Sequence, residues 1–337
     1  MRGNVTPILS EPEEFQVAAS APRHFDVTVT EREAFRGRIT KFAFHNLCLL
    51  HAEMELAAIA FIKVPADMVL VALSMGSHEN AIWGGIRTRS RDLVTVGAAQ
   101  SVHLRTDGPY RLGAIWLPLH EFTRYGGAVT GRAMAVPPAV CRWRTPPEAG
   151  RQLRHLYSAA IRTAQTRLGR IGGAEATHGL EQQLIHAVAE CLPPEPASMA
   201  TPAMCRTQNL MARFGDLVRR QPEGAPDMSQ LRAVLGVSER WLRWCCEQHL
   251  GMGPMTYIRL HRMQSANRVL RCGDPRTLRV SDVAKRFGFR SPGRFASTYR
   301  ERYGELPSET LRRGSHQGTS VISIHTRSAR PDRRDPH

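Results

Sequence analysis

Two short patterns of the same kind follow one another in the last third of this chain, and they constrain its fold more than anything else in it. The first runs Met228-Ser-Gln-Leu-Arg-Ala-Val-Leu-Gly-Val-Ser-Glu-Arg-Trp-Leu-Arg-Trp-Cys-Cys-Glu-Gln-His-Leu-Gly251. The second runs Val280-Ser-Asp-Val-Ala-Lys-Arg-Phe-Gly-Phe-Arg-Ser-Pro-Gly-Arg-Phe-Ala-Ser-Thr-Tyr-Arg-Glu-Arg-Tyr-Gly304. Each predicts a short helix, a glycine turn, a serine cap and a second helix, which is a helix-turn-helix.

In the first unit Leu231 and Val234 are the expected buried face of the supporting helix. Gly236 allows the tight turn, and Ser238 can cap the next helix by accepting a backbone N–H. Leu242 and Cys246, four residues apart, point inward, which leaves Glu239, Arg240, Arg243, Trp244 and Glu247 outward. In the second unit Val283, Ala284 and Phe287 face the core, Gly288 turns the chain and Phe289 anchors it. Ser291 caps, Pro292 suits the first helical position, and Phe295 and Tyr299 face inward. A second helix held this way can lie in a DNA major groove. Arg240, Arg243, Trp244, Arg294 and Ser297 are the expected base readers. An arginine fork on guanine O6 and N7 contributes roughly 1–3 kcal/mol of discrimination. Ser238, Arg290, Pro292, Gly293 and Arg300 are expected near the groove or on phosphates.

Charge supports this. The formal net charge is +16, and residues 206–313 alone hold 21 basic and 10 acidic side chains. The excess thus sits in the segment with both units. Lys41, Lys63 and Lys285 are the only lysines; a compositional bias explains arginine in place of lysine but not where the excess lies. A basic segment implies a polyanionic partner.

Residues 1–23 read as a flexible lead-in and residues 24–145 as a β-rich sensor domain. Apolar runs recur there every eight to twelve residues, at Ile39–Phe44, Leu47–His51, Ala57–Ile62, Met68–Ser74, Ala81–Ile86, Leu93–Val96, Ser101–Leu104 and Leu112–Leu117. Turn signals at Pro65-Ala-Asp67, Gly84-Gly85 and Asp107-Gly-Pro109 separate several of them, a rhythm that predicts a sandwich or barrel. Residues 146–193 predict a helical pair, either packed on the β domain or also serving as a dimer surface. Pro193-Pro-Glu-Pro-Ala-Ser-Met-Ala-Thr-Pro202 has linker composition, placing a linker at 194–206. Residues 207–313 are then an all-α domain, with one helix over Pro254–Arg271 between the two units, and 314–337 a disordered tail. Eighteen residues of helix span roughly 27 Å, against about 34 Å between successive major grooves on one DNA face.

Residues 213–313 resemble the DNA-binding domain of AraC/XylS-family transcription regulators. The resemblance rests on ordered features: Gly236-Val-Ser-Glu-Arg240, Leu250-Gly-Met-Gly-Pro254, Tyr257-Ile258, Arg262, Ala266 and Leu270 on one helix, Asp282-Val-Ala284, Gly288-Phe289, Arg294-Phe295, Tyr299-Arg300 and Tyr303-Gly-Glu-Leu-Pro307-Ser308. It implies groove-facing positions at Arg240, Arg243 and Trp244, and at Pro292, Gly293 and Ser297. It also implies a preceding cupin-like β barrel or jelly roll that binds an effector or mediates dimerisation. The fold class expected is therefore multidomain α+β. The expected partners are a double-stranded DNA operator, RNA polymerase, a small-molecule effector and a second copy of the chain, with activation favoured. Cys246 departs from the family, which usually has a large apolar residue there; the space is either looser or filled by Trp241. Trp244 stands where the family often has a polar or basic reader.

Other chemistry finds little support. The seven cysteines lack metal-ligand spacing, and with no secretory leader apparent at the start they suggest a reducing, cytoplasmic setting. The longest apolar run, Leu56–Ile62, is too short for a bilayer, so no membrane partner is expected. Cys245-Cys246 reads as core filling in preference to a redox pair. His45, His51, His78, His103 and His120 form no H-x-H pattern, so no metal and no cofactor is expected. Hydrolase, P-loop and zincin motifs are absent, so no catalytic residue is assigned. Trp83 and Trp116 are core or effector-pocket residues. The competing reading is a cupin-type ligand-binding or metal-dependent enzyme with an appended DNA anchor.

Overall fold

A strand whose two faces are both covered reads as an unbroken apolar run, and Met68–Ser74, buried at every position, is such a strand. The computed structural model describes residues 3–20, 25–32, 34–76, 81–130, 139–165, 173–192, 201–220 and 226–317. The chain resolves into two compact units, Met1–Ser265 and Ala266–His337.

In the first unit the elements run β1 (Gly3–Val5), α1 (Pro12–Ser20), β2 (Phe25–Val29), β3 (Gly37–Ala43), β4 (Cys48–Met54), β5 (Ala58–Lys63), β6 (Met68–Ser74) and β7 (Ala81–Trp83). They continue through β8 (Ile86–Thr88), β9 (Asp92–Val96), β10 (Ser101–Thr106), β11 (Tyr110–Pro118), α2 (Leu119–Thr130), β12 (Val140–Arg144), α3 (Pro147–Gln165) and α4 (Gly173–Cys191). Next come α5 (Pro202–Arg220), α6 (Met228–Leu235), α7 (Glu239–Leu250) and α8 (Pro254–Cys272), which crosses the unit boundary. The second unit continues with α9 (Val280–Arg286), α10 (Pro292–Tyr303) and α11 (Pro307–Gln317).

Every strand pairing is antiparallel. One sheet has the order β1-β3-β4-β11-β6-β9-β12 and the other β2-β5-β10-β7-β8. Together they form a double-layered antiparallel β domain with one core between the sheets, within a chain of the α+β class. Alternation along β6 shows how the layers are built. Leu70 and Ala72 enter the core between the sheets with Val27, Ile62, Trp83 and Leu104. Val69, Val71 and Leu73 face the opposite way and pack with Leu153 and Tyr157 of α3 and Leu184 and Val188 of α4. The Tyr157 hydroxyl donates to the Leu50 carbonyl at 2.7 Å, tying α3 to the sheet. Glu181 of α4 accepts from the backbone N–H of Asn46 and Leu47, satisfying the β3–β4 turn. The helical pair thus turns its apolar faces to the sheet. Trp83 and Trp116 are buried between the sheets as core.

The free face of the smaller sheet is covered by α5 to the first part of α8. Ile59 of β5 lies in one cluster with Phe214, Leu231, Leu242, Cys246 and Tyr257. The Gln264 amide extends edge strand β2, accepting from Val29 N–H at 3.3 Å and donating to the Val27 carbonyl at 2.7 Å. Gln208 does the same for Val140 N–H and the Gly84 carbonyl. Asp26 receives Arg219 at 3.0 Å and His261 at 3.3 Å.

Three expectations change. The lead-in is structured where described: β1 pairs with β3, and Phe15 of α1 is fully buried against Phe35. Leu9, Phe15 and Ala19 are the apolar residues buried there among those described, too widely spaced for a periodicity to register. Residues 194–200 of the expected linker lie outside the described residues, but α5 already begins at Pro202. The compact-unit boundary falls within α8 instead, because the first helix-turn-helix shares its core with the smaller sheet. Of the tail, 314–317 continue α11, and 318–337 lie outside the described residues, as does His78.

Candidate nucleic-acid interface

The first unit of the pattern forms as its residues dictate. Asp227 and Gln230 make a reciprocal capping box at the start of α6. Gly236, at φ 71°, ends α6 in the left-handed region that disfavours side chains, and its N–H bonds the Arg232 carbonyl. Ser238 Oγ then accepts from Trp241 N–H at 3.3 Å and starts α7. The buried face of α6 is Leu231 and Leu235, whereas Val234, expected inside, is 56% exposed. Four-residue spacing, not three, matches the short helix to its neighbours. Leu242, Cys245, Cys246, His249 and Leu250 bury the inner face of α7.

Arg240, Arg243 and Trp244 are all exposed on the outer face of α7. Arg243 makes two hydrogen bonds to Glu239 Oε1, at 2.7 and 2.9 Å. An exposed pair one turn apart on a helix is worth only about 0.3–0.5 kcal/mol, so a phosphate or guanine can displace the carboxylate. Trp244 stacks on Trp241 with centroids 4.9 Å apart and planes within 15°. Trp241 therefore does not fill the space beside Cys246; it is 42% exposed. Cys245 and Cys246 are buried, and burial raises both thiols, Cys245 to about 11. A thiol held protonated is a poor nucleophile.

The second pattern lies in the second compact unit. Phe289 N–H bonds the Ala284 carbonyl and Gly288 N–H the Lys285 carbonyl, both at 2.9 Å, the paired bonds of a Schellman turn with Gly288 at φ 72°. Ser291 Oγ accepts from Arg294 N–H, and Pro292 opens α10. Phe295 and Tyr299 are buried. The Tyr299 hydroxyl accepts from Asn267 at 2.6 Å and donates to Thr310 at 2.8 Å, and Thr310 donates to Glu305 at 2.6 Å. This chain of buried bonds fixes α10 by its inner face. Its outer surface presents Pro292, Gly293, Arg294, Ser297 and Arg300, with Arg290 before the cap, all exposed. Ser297 Oγ donates back to the Arg294 carbonyl at 3.1 Å and keeps its lone pairs for a donor. Nothing lies within 4 Å of a Cβ built on Gly293, so internal packing does not require glycine there.

Missing from the sequence reading was the buried histidine group behind α7. His103 of β10 lies 4.8 Å from Phe61 and 6.1 Å from Tyr257, ring to ring, and neither of its nitrogens has a hydrogen-bond partner. Burial, reinforced by His249, lowers its pKa to about 3; burial lowers His249 to about 4. His103 sits in an apolar run, where a buried and an exposed histidine look alike. Among the described residues, no three His, Cys, Asp or Glu side chains are placed to hold a metal ion, and no helix is long and apolar enough to cross a membrane.

A pair of helices with one face buried and an arginine-bearing face outward, formed twice, defines the class as a tandem helix-turn-helix. Residues 231–313 match the family model described as a helix-turn-helix domain. Over 85 residues the chain is 39% identical to the probable thc operon regulatory protein of Rhodococcus erythropolis, covering 25% of this chain and 26% of that protein. Over 84 residues it is 37% identical to the XylDLEGF operon transcriptional activator 2 of Pseudomonas putida, covering 25% of this chain and 54% of that protein. The matched segment thus spans about a quarter to a half of these curated relatives. The crystal structure of the AraC-like transcriptional activator CuxR gives a TM-score of 0.43 at 14% identity, covering 78% of this chain and 94% of that one.

Proposed function

We propose that this protein is a sequence-specific DNA-binding transcription regulator that places α7 and α10 in successive major grooves. The carrying observation is that both helices bury an inner face and leave Arg240, Arg243 and Trp244, and Arg294 and Ser297, exposed outward, with Arg243 held only by an exposed pair to Glu239. Arginine forks read guanines, while Arg290 and Arg300 meet phosphates and Ser238, Pro292 and Gly293 set how closely the helix ends approach. α8 is one helix of 19 residues, roughly 28 Å long, a length suited to joining two reading heads about one DNA turn apart. The same reading has RNA polymerase and a second copy of the chain as partners, with a small-molecule effector acting through the β domain to favour activation.

Selection of bound sequences from a random duplex pool by the purified chain tests this. One enriched site with two blocks of specified bases is expected. Arg240→Ala and Arg294→Ala should each relax one block and leave the other. No enrichment, or uniform weakening without loss of preference, contradicts the proposal.

A further inference from the structure

A cavity of about 850 Å³ opens at the end of the β9–β12 ladder in the first compact unit. Three elements supply its charge. The β8–β9 turn gives Arg89 and Arg91, the last residue of β12 gives Arg144, and the first two turns of α3 give Arg151 and Arg154. Arg144 stands opposite Asp92 in the strand register, so the ladder itself brings the first and second groups together. Residues 147, 150, 151 and 154 fall on one stripe of α3, which turns the helix N-terminus toward the same space.

The lining is short of negative charge. Asp92 is the sole acidic residue among the cavity-lining residues, and its Oδ2 already accepts from Arg89 backbone N–H at 3.0 Å. Glu148 pairs with Arg151. Among the described residues Arg89, Arg91 and Arg144 form no ion pair. Arg154 is held rigid, donating to the Ser90 and Gly150 carbonyls. Burial lowers its pKa, with Arg91 adding like-charge repulsion against the opposing Cys191 and Asp92. Converging guanidiniums in a recess repel one another until an anion enters, and the planar fork matches phosphate oxygens two at a time. The volume is that of a small-molecule site, a few hundred to a thousand Å³, so inorganic phosphate alone would leave most of it empty.

We propose that this cavity is the effector site of the β domain and that its ligand is a small organic phosphate carrying two or more negative charges. The word effector rests on the function proposed above; the binding itself does not. Calorimetric titration of the full chain with pyrophosphate, adenosine diphosphate and citrate tests it. Pyrophosphate and adenosine diphosphate should bind saturably at one site per chain, with citrate at least tenfold weaker. The pair Arg89→Ala/Arg144→Ala should weaken pyrophosphate at least tenfold, and Arg89→Lys/Arg144→Lys less. The control pair Arg36→Ala/Arg38→Ala should change it less than twofold. Absence of saturation at millimolar pyrophosphate, equal losses in both alanine pairs, or citrate binding as tightly as pyrophosphate would each overturn the assignment. So would loss of DNA affinity in Arg89→Ala/Arg144→Ala without any added ligand, since the cavity would then be a DNA-backbone contact. Selection of DNA sites by the parent chain, set beside its pyrophosphate titration, separates the two proposals. A selected site with no pyrophosphate binding sinks only the cavity, whereas bound pyrophosphate with no selected site sinks only the DNA reading.

Discussion

Acid should loosen the first compact unit through His103 and His249, and His103→Leu should blunt that loss. Both rings are buried beside the helix-turn-helix core, at 1% and 3% exposure. Their folded-state pKa values are depressed to about 3 and about 4, against about 6.5 in an unfolded chain. The unfolded state therefore binds more protons below pH 6.5, so stability is fully present above that pH and falls as pH drops. Each histidine adds a slope of about 1.4 kcal/mol per pH unit, or about 3 kcal/mol by pH 4. Asp26 opposes the depression of His103 and Arg219 reinforces it, but burial dominates. Leucine is close to histidine in volume, and neither His103 nitrogen has a partner to lose, so the variant should match the parent at pH 8. All five tryptophans lie before residue 265, so their fluorescence in urea reports this unit alone. The parent's midpoint should fall more steeply than the variant's between pH 6.5 and 4. Parallel curves would refute the burial of a neutral His103.

Tyr299→Phe should cost about 1–3 kcal/mol by stranding Asn267 and Thr310, seen as faster amide exchange across 266–317; unchanged protection contradicts it. Glu239→Gln should release Arg243 and tighten DNA binding several-fold at low salt, and an unchanged Kd would show that the pair does not compete with DNA. Gly293→Ala meets no neighbour and should raise helix stability by up to about 1 kcal/mol. It should still weaken DNA binding if the helix end approaches the backbone closely; full DNA affinity would remove Gly293 from the interface.

Much of this molecule was legible because its strands carry strong local signals. Met68–Ser74 was expected and observed with the same limits, and Gly84-Gly85 does turn β7 into β8. The helix-turn-helix units were legible through their caps, since Ser238 and Ser291 follow directly from the need to satisfy the first N–H groups of a helix. What escaped was what depends on distant partners. β1 has three residues and exists through its pairing with Thr40–Phe42. β2 and β12 follow segments with no apolar rhythm. Val234 and Leu235 are equally apolar, and only the position of Phe214 and Leu242 around α6 selects Leu235 for the core. The arginine cavity draws on residues more than fifty positions apart, joined by the β9–β12 register.

Hydroxyl-radical footprinting of the full chain on its selected duplex bears most directly on the two-headed reading. Two protected windows about ten base pairs apart on one face are expected, with Arg240→Ala and Arg294→Ala each erasing a different window. A single protected window, or one that both substitutions erase together, would contradict it.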